Sequence, residues 1–145
     1  MSNLSEPVVD AWIALMRAQQ IALRKVERAF RAAGLAPYAW YDALWELERA
    51  GEQGLRQVQI ERQVLIAQSN ISRLVDRLEA AECVTRRPCA DDARGQQIII
   101  TSTGIELRRR MWPVYAAAIR AAFGDHISDE QATALTRILH LTLEN

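Results

Sequence analysis

The segment from Gln68 to Glu82 carries side chains that could bind nucleic acid. Hydroxyl, amide and guanidinium groups can donate hydrogen bonds to base edges and phosphates or accept them. The polar side of the expected helix presents such groups at Gln68, Ser69, Asn70, Ser72, Arg73 and Arg77. Carboxylates gather toward the C-terminal half, at Asp76, Glu79 and Glu82. A helix of this polarity could enter a DNA groove with its electropositive N-terminal end first.

The elements around this segment decide its interpretation, because an amphipathic helix with two arginines is usually a solvated surface helix. Its apolar stripe consists of Ile71, Leu74, Val75 and Leu78, at the helical spacing i, i+3, i+4, i+7. A shorter helix is predicted at 57–65, and a tight turn separates the two. This order is typical of a helix-turn-helix, in which the second helix enters the major groove.

Two longer strands are predicted after this helix, at 84–87 and 96–101, with a polar loop between them. A hairpin directly after a recognition helix is a wing. Arg94 lies in its loop, where an arginine can enter a minor groove. The alternative is an intramolecular ion pair of Arg94 with Asp91 or Asp92.

Any attraction to DNA must come from a local patch, since 18 basic and 18 acidic residues cancel. Lys25 is the only lysine, and arginine suits bidentate contacts to phosphate or guanine better than lysine does. Arg86 and Arg87 alternate along the first long strand, so we expect only one of them to face DNA. Arg86 is the candidate that we include in the DNA-binding set.

Long helices flank the proposed DNA-reading elements. We predict them at 7–33, 37–50, 101–123 and from 128 onward, with a very short strand at 55–56. Pro113 lies inside the third of these helices and should kink it or loosen one turn. Ser128 and Gln131 form a capping-box pattern at the start of the last. The predicted fold class is therefore mainly α with a small β-hairpin wing.

The sequence argues against several classes of protein. No apolar run approaches the roughly 18 residues of a membrane-spanning helix. The N-terminus lacks the form of a signal peptide, so we expect a soluble cytoplasmic protein with no membrane partner. No nucleophile–base arrangement or glycine-rich phosphate loop indicates an enzyme or a cofactor. Cys83 and Cys89 have no histidine near them, which argues against a metal site.

The run QSNISRLVDRLEAAECVTRRP resembles the recognition helix and first wing strand of the MarR family of bacterial transcription regulators. The following DDARG resembles the aspartate–arginine motif at the family's wing tip, and IIITSTG continues the likeness. The resemblance covers about Leu35 to Gly104, and the flanking helices agree with the family in order and length.

This resemblance implies a homodimer that binds double-stranded DNA at a pseudo-palindromic operator. Residues 1–34 and 102–145 would form the helical dimerisation region, and residues 35–101 the winged helix-turn-helix domain. Many members release DNA when a small, often aromatic, molecule binds, so the expected function is that of a ligand-released repressor. The apolar surplus of both terminal helices also favours a dimer, because a monomer would expose it.

Aromatic residues are the candidates for lining a ligand cavity, although such residues belong to the core by default. The candidates for effector binding are Trp12, Tyr38, Tyr41 and Trp45. Other members of the family sense oxidants through cysteine, which makes Cys83 and Cys89 redox candidates. The alternative is a buried small residue at Cys83 and an incidental exposed thiol at Cys89. A helical protein-interaction module that no longer reads DNA is a further alternative function.

Three positions depart from the family pattern. Ala67 stands where a serine or threonine often caps the recognition helix, and an uncapped start would cost about 1 kcal/mol. Cys83 stands where glycine usually ends that helix, and cysteine tolerates a left-handed conformation poorly. Cys89 stands in the wing where an acidic residue is common.

Overall fold

The computed structural model describes residues 3–89, 91 and 95–143, and the structural findings concern these residues. The chain forms two compact units. One consists of Phe30–Val114, and the other combines Met1–Ala29 with Tyr115–Asn145. Most of the wing tip, including Asp92 and Arg94, lies outside the described residues.

Helices make up most of the described chain. They are α1 Glu6–Ala32, α2 Tyr38–Ala50, α3 Gln57–Gln63, α4 Ile71–Ala80, α5 Ser102–Ala122 and α6 Asp129–Leu143. The strands are β1 Leu55–Arg56, β2 Val84–Pro88 and β3 Gln96–Ile100. Short 3-10 turns lie at Gly51–Gln53 and Gly124–His126. The predicted fold class, mainly α with a small β wing, is confirmed.

The β-sheet is antiparallel, with the strand order β1-β3-β2. Strands β2 and β3 form the predicted hairpin, in which Val84 lies opposite Ile100. Strand β1 adds to the other edge of β3, with Leu55 opposite Ile98. Strand β3 is central in the sheet, and its Ile98 side chain is buried in the hydrophobic core. The wing is therefore part of a three-stranded sheet.

The core of the unit 30–114 lies between α2, α3, α4 and the sheet. The apolar stripe of α4 is buried in it, as the helical spacing predicts, at Ile71, Leu74, Val75 and Leu78. Leu44 and Leu47 of α2 and Ile60 of α3 are fully buried beside it. Each such side chain stabilises the fold by about 1.5–3 kcal/mol. Helix α4 is thus held by its inner face.

Helix α4 begins later than the sequence predicts. Its N-cap is Asn70, whose side-chain oxygen accepts the N–H of Arg73 at 3.0 Å. Asparagine is among the residues most favoured at this position. The expectation of an uncapped start after Ala67 is therefore wrong, and Gln68 and Ser69 lie in the loop before the helix.

The end of α4 also differs from the prediction. The residue in the left-handed conformation is Glu82, with φ 62°, and not Cys83. The N–H of Cys83 donates to Leu78 O at 2.9 Å, and that of Glu82 donates to Glu79 O at 2.9 Å. These two bonds form a Schellman motif, in which the left-handed residue comes one position before Cys83. The structural difficulty that we expected at Cys83 therefore falls on Glu82.

Replacing Glu82 with glycine should stabilise the protein. Relief of the left-handed conformation outweighs glycine's greater freedom in the unfolded chain, with a net gain of about 0.5–1 kcal/mol. Thermal unfolding should show a rise in melting temperature of about 2 °C. Ala81→Gly is the matched control, because Ala81 has an ordinary φ of −83° and should only lose stability. An unchanged or lower melting temperature for Glu82→Gly would contradict the prediction.

The caps predicted for the later helices are present. Thr101 Oγ1 accepts the N–H of Gly104 at 3.1 Å, at the start of α5. Ser128 and Gln131 exchange two hydrogen bonds of 2.9 and 3.1 Å, which makes the predicted capping box of α6. Helix α5 continues through Pro113. In the part of the chain that the structure describes, no helix is both long and apolar enough to cross a membrane.

Candidate nucleic-acid interface

The outer face of α4 presents the predicted polar side chains to solvent. Ser72, Arg73 and Arg77 are exposed, on the side opposite the buried stripe. In the preceding loop, Ser69 is exposed and Gln68 is half-buried. Because Asn70 uses its side-chain oxygen for the cap, its amide NH₂ remains as the group that can donate to DNA.

A groove of about 320 Å³ runs between this face and the start of α2. Gln68, Ser69, Asn70, Arg73 and Arg77 line it on one side. Pro37, Ala39 and Trp40 line it on the other. The structure therefore brings most of the predicted DNA-binding residues together around one cleft with two guanidinium groups.

Trp40 is a residue of this groove that sequence reasoning missed. Its side chain is half-buried, because it also packs against the core. A tryptophan in such a place satisfies the helical pattern of α2 as an ordinary core residue. That Trp40 also lines the groove follows only from its position across from Arg73 and Arg77.

The two arginines of β2 both have intramolecular partners. Arg86 is half-buried and forms ion pairs with Asp76 at 2.6 Å and Glu79 at 3.2 Å. Arg87 donates to the main-chain oxygen of Glu52 at 3.0 Å. The pairing of Arg86 ties β2 to α4 and neutralises two carboxylates that would otherwise repel phosphates. A direct contact of Arg86 with DNA stays a prediction.

The wing loop is described only in part. Asp91 accepts a hydrogen bond from the guanidinium of Arg56 at 3.2 Å, so one aspartate of the DDARG motif is held from β1. The predicted contacts of Arg94, with DNA or with Asp92, lie outside the described residues.

Comparison with known proteins identifies the architecture. A sequence model of the MarR family matches residues 36–95. The HTH-type transcriptional regulator MhqR of Bacillus subtilis is 29% identical over 136 residues, which cover 94% of this chain and 91% of that protein. The crystal structure of Sco3205, a MarR family regulator from Streptomyces coelicolor in complex with DNA, matches with a TM-score of 0.85 and 28% identity, over 99% of this chain and 90% of that one.

The chain is similar in sequence and fold to the MarR family of transcriptional regulators. A mutant MarR from E. coli, complexed with operator DNA, shares the fold of this chain with a TM-score of 0.79. The two chains are 16% identical, over 99% of this chain and all of the other, so this comparison supports the shared fold alone. The predicted resemblance to this family is confirmed, and the relatives that match are regulators, as we expect for this chain.

The effector candidates of this chain have different environments. Tyr41 is buried, and its ring stacks on Trp112 with 6.4 Å between centroids. Trp45 is 40% exposed, and the guanidinium of Arg108 lies 5.2 Å from its ring centroid. Tyr38 is buried, and its ring centroid lies 6.0 Å from that of Phe30. Their roles in ligand binding stay predictions.

Arg108 is the charged centre of the aromatic cluster formed by Tyr41, Trp45 and Trp112. Its Nε donates to the Glu48 carboxylate, and an NH₂ group lies 3.4 Å from the Tyr41 hydroxyl. Burial alone would lower the pKa of Arg108, but hydrogen bonds with Glu48 and Tyr41 raise it above its ordinary value. The cluster therefore keeps a permanent cation beside an exposed indole. Trp12 belongs to the other unit, where it is 62% exposed.

Both cysteines are buried, at opposite ends of β2. The expectation of an exposed thiol at Cys89 is wrong, because its side chain is 6% exposed. Burial raises the pKa of Cys83, and Arg110 opposes this only in part. Among the described residues, no group of three or more histidine, cysteine or acidic side chains could hold a metal ion.

Proposed function

We propose that this chain is a dimeric repressor that binds operator DNA through α4 and the wing and is released by a small aromatic ligand. The observation that carries the DNA-binding part is the exposed polar face of α4 beside a groove lined by Arg73 and Arg77. A helix with a buried apolar stripe and an exposed N-terminal guanidinium pair has the form of a major-groove reader. The protein would act in the cytoplasm, where bacterial operator DNA lies.

The DNA contacts divide by chemistry. Arg73 and Arg77 can make bidentate contacts with guanine or phosphate, and the shorter side chains of Ser69 and Ser72 suit phosphate oxygens. Gln68 and the Asn70 amide can reach base edges. Arg94 would enter the adjacent minor groove from the wing. Arg86, with its two carboxylate partners, would act by holding the wing against α4.

A two-fold symmetric dimer would bind both half-sites of an operator, since two α4 helices about 34 Å apart fit successive major grooves of a pseudo-palindrome. The dimerisation region would comprise residues 1–34 and 102–145, and the DNA-binding domain residues 35–101. Helices of the first region carry large apolar side chains that the single chain leaves exposed, among them Val8, Trp12, Ile13, Ile138 and Leu143. A second copy of the chain is the partner that would cover them.

DNA binding is tested by selection from a pool of random-sequence duplexes, each about three helical turns long so that both half-sites fit. The protein should enrich one pseudo-palindromic sequence, which then serves as its operator. Affinity for that duplex should fall steeply with salt, because arginines displace counterions from phosphates. A protein that enriches no duplex, or binds without salt dependence, would instead support the alternative of a helical interaction module.

The ligand part of the proposal rests on the cluster around Arg108. The guanidinium of Arg108, which Glu48 binds through Nε, lies beside the rings of Tyr41 and the exposed Trp45 and offers hydrogen-bond donors and stacking to an aromatic carboxylate or phenolate. Such a compound should quench tryptophan fluorescence and weaken operator binding, by about tenfold if the coupling is typical. Trp45→Phe should remove most of the quenching, whereas Trp40→Phe should keep it. If no aromatic acid or phenol in a broad panel changes both fluorescence and operator affinity, the ligand proposal fails.

A thiol-based switch is the weaker alternative for the input signal. The burial of Cys83 and its raised pKa disfavour the thiolate that oxidants attack. The two cysteines are separated by the length of β2, roughly 20 Å for six residues of extended chain. A disulfide needs Cα atoms within about 7 Å, so the two cannot join within one chain.

A further inference from the structure

The carboxylate of Asp42 is buried, and both of its oxygens bind the loop that precedes α4. Asp42 lies on α2 and is 3% exposed. Its Oδ1 accepts the N–H of Leu65 at 3.0 Å, and its Oδ2 accepts the N–H of Ile66 at 2.9 Å. The loop between α3 and α4, residues 64–70, is the turn of the helix-turn-helix.

Hydrophobic packing alone does not fix this turn. Val64 packs against the core, but the Leu65 side chain is 70% exposed. The main chain at Leu65 and Ile66 is therefore attached to the domain through Asp42. Helix α2 is a rigid support for the attachment, because the neighbouring Ala43 and Leu44 are fully buried.

The two hydrogen bonds from Leu65 and Ile66 suit a carboxylate better than an amide. Two consecutive N–H groups bind one oxygen each, and a carboxylate offers two acceptor oxygens where an amide offers one. Burial raises the pKa of Asp42, while the N–H groups of Leu65 and Ile66 counteract part of that rise. The turn thus supplies the polar partners that a buried carboxylate needs.

We infer that Asp42 is a positioning residue for DNA reading: it holds the turn in the one conformation that places Gln68, Ser69 and the Asn70 cap at the DNA surface. Ile66 is held four positions before Asn70, so the course of the chain between them sets where α4 begins. A displaced turn would shift the groove-lining side chains while leaving the buried stripe of α4 in place. This inference rests on the proposed DNA binding.

Asp42→Asn tests the inference, with Glu46→Gln as the matched control. Glu46 lies one turn later on the same helix, and it is also buried, at 8% exposure, but in the hydrogen bonds and ion pairs described it contacts Arg49 and not the turn. Asparagine places an NH₂ group against one of the two N–H donors, and we expect about tenfold weaker operator binding from the unsatisfied group. Binding to a random duplex of equal length should change much less. Amide exchange at Leu65 and Ile66 should accelerate in Asp42→Asn only.

The outcomes distinguish a failure of the proposed DNA binding from a failure of the inference about Asp42. If the parent protein enriches no duplex, the proposed function fails and this inference fails with it. If the parent binds its operator and Asp42→Asn keeps the same affinity and the same preference over random DNA, the inference alone is overturned. Equal losses on both duplexes would also overturn it, because they indicate general destabilisation.

Leu65→Pro provides a second test if Asp42→Asn does not fold. Proline replaces the N–H that donates to Asp42 Oδ1 with a ring carbon, which removes this bond and pushes the carboxylate away from the turn, while little packing is lost at a side chain that is 70% exposed. The preceding Val64 has ψ 146°, an extended conformation that a following proline accepts. The same selective loss of operator binding is expected, and its absence would overturn the inference.

Discussion

Arg73→Ala should weaken operator binding by the dimer by about a hundredfold or more, since both subunits lose the arginine and each bidentate base contact contributes about 1–3 kcal/mol. Arg73 is exposed in the first turn of α4 and lines the groove toward α2. Arg77 lies one turn later on the same face, and Arg77→Ala should also weaken binding. The measurement is a titration of labelled operator and of a random duplex at several salt concentrations.

The pattern of weakening distinguishes a base contact from a phosphate contact. Weaker binding to the operator alone indicates a base contact, whereas weaker binding to both duplexes indicates a phosphate contact. Removing a phosphate contact should also lower the salt slope by about 0.9 for each subunit. Arg109→Ala is the matched control, because this exposed arginine on α5 removes the same charge away from the groove. Parent-like binding by both Arg73→Ala and Arg77→Ala would show that α4 is not the reader.

The second large effect concerns assembly: Ile13→Glu should convert the proposed dimer to monomers and abolish operator binding. Ile13 lies on the apolar face of α1 with Val9, Trp12 and Met16, all at least partly exposed in the single chain. A carboxylate placed inside a dimer interface would lose its water without a partner, which is strongly unfavourable. Sedimentation equilibrium at micromolar concentration should give twice 16.4 kDa for the parent and a smaller particle for the variant.

Ala18→Glu serves as the control for assembly, because Ala18 lies on the side of α1 away from the stripe at 100° per residue. It should form the same dimer as the parent. A parent protein that sediments at 16.4 kDa would contradict the dimer itself. An Ile13→Glu variant that remains dimeric would show that the partner covers another surface.

The parts of the fold that follow from local pattern could be predicted from the sequence. The stripe of α4 has the helical period, and the strands β2 and β3 are rich in β-branched residues around a polar loop. The capping box at Ser128 and Gln131 is specified by two residues three positions apart. In each case the interacting residues are close in sequence, so their types and spacing contain the information.

The misplaced start of α4 has a different cause. Gln68, Ser69 and Asn70 are polar residues that suit either a loop or an exposed helix face, and an apolar period cannot distinguish the two. The cap depends on the side-chain conformation of Asn70, which accepts the N–H of Arg73. The left-handed residue at Glu82 was missed for a related reason, because glutamate carries no local signal for that conformation.

Site residues whose hydrogen-bond or ion-pair partners are distant in the sequence could not be predicted from the spacing of residue types. Asp42 lies far along the chain from its partners Leu65 and Ile66. In the sequence alone it looks like a surface residue of an amphipathic helix. Arg86 was predicted from its charge and its alternation with Arg87, but its pairing with Asp76 and Glu79 depends on how β2 returns along α4. Such contacts require the three-dimensional arrangement of elements.

The order of strands in the sheet has a consequence for how the protein folds. Strand β1 precedes the helix-turn-helix, whereas its partner β3 follows it, as the second strand of the wing. The hairpin of β2 and β3 closes a short loop, but the β1–β3 pairing must close a loop that contains α3 and α4, and such distant pairings form slowly. On the ribosome, Leu55 would wait on the order of seconds for Ile98 to be synthesised. Until then the strand edge of β1 stays unpaired, and the apolar side chains beside it, such as Leu55, lack the cover that β3 provides.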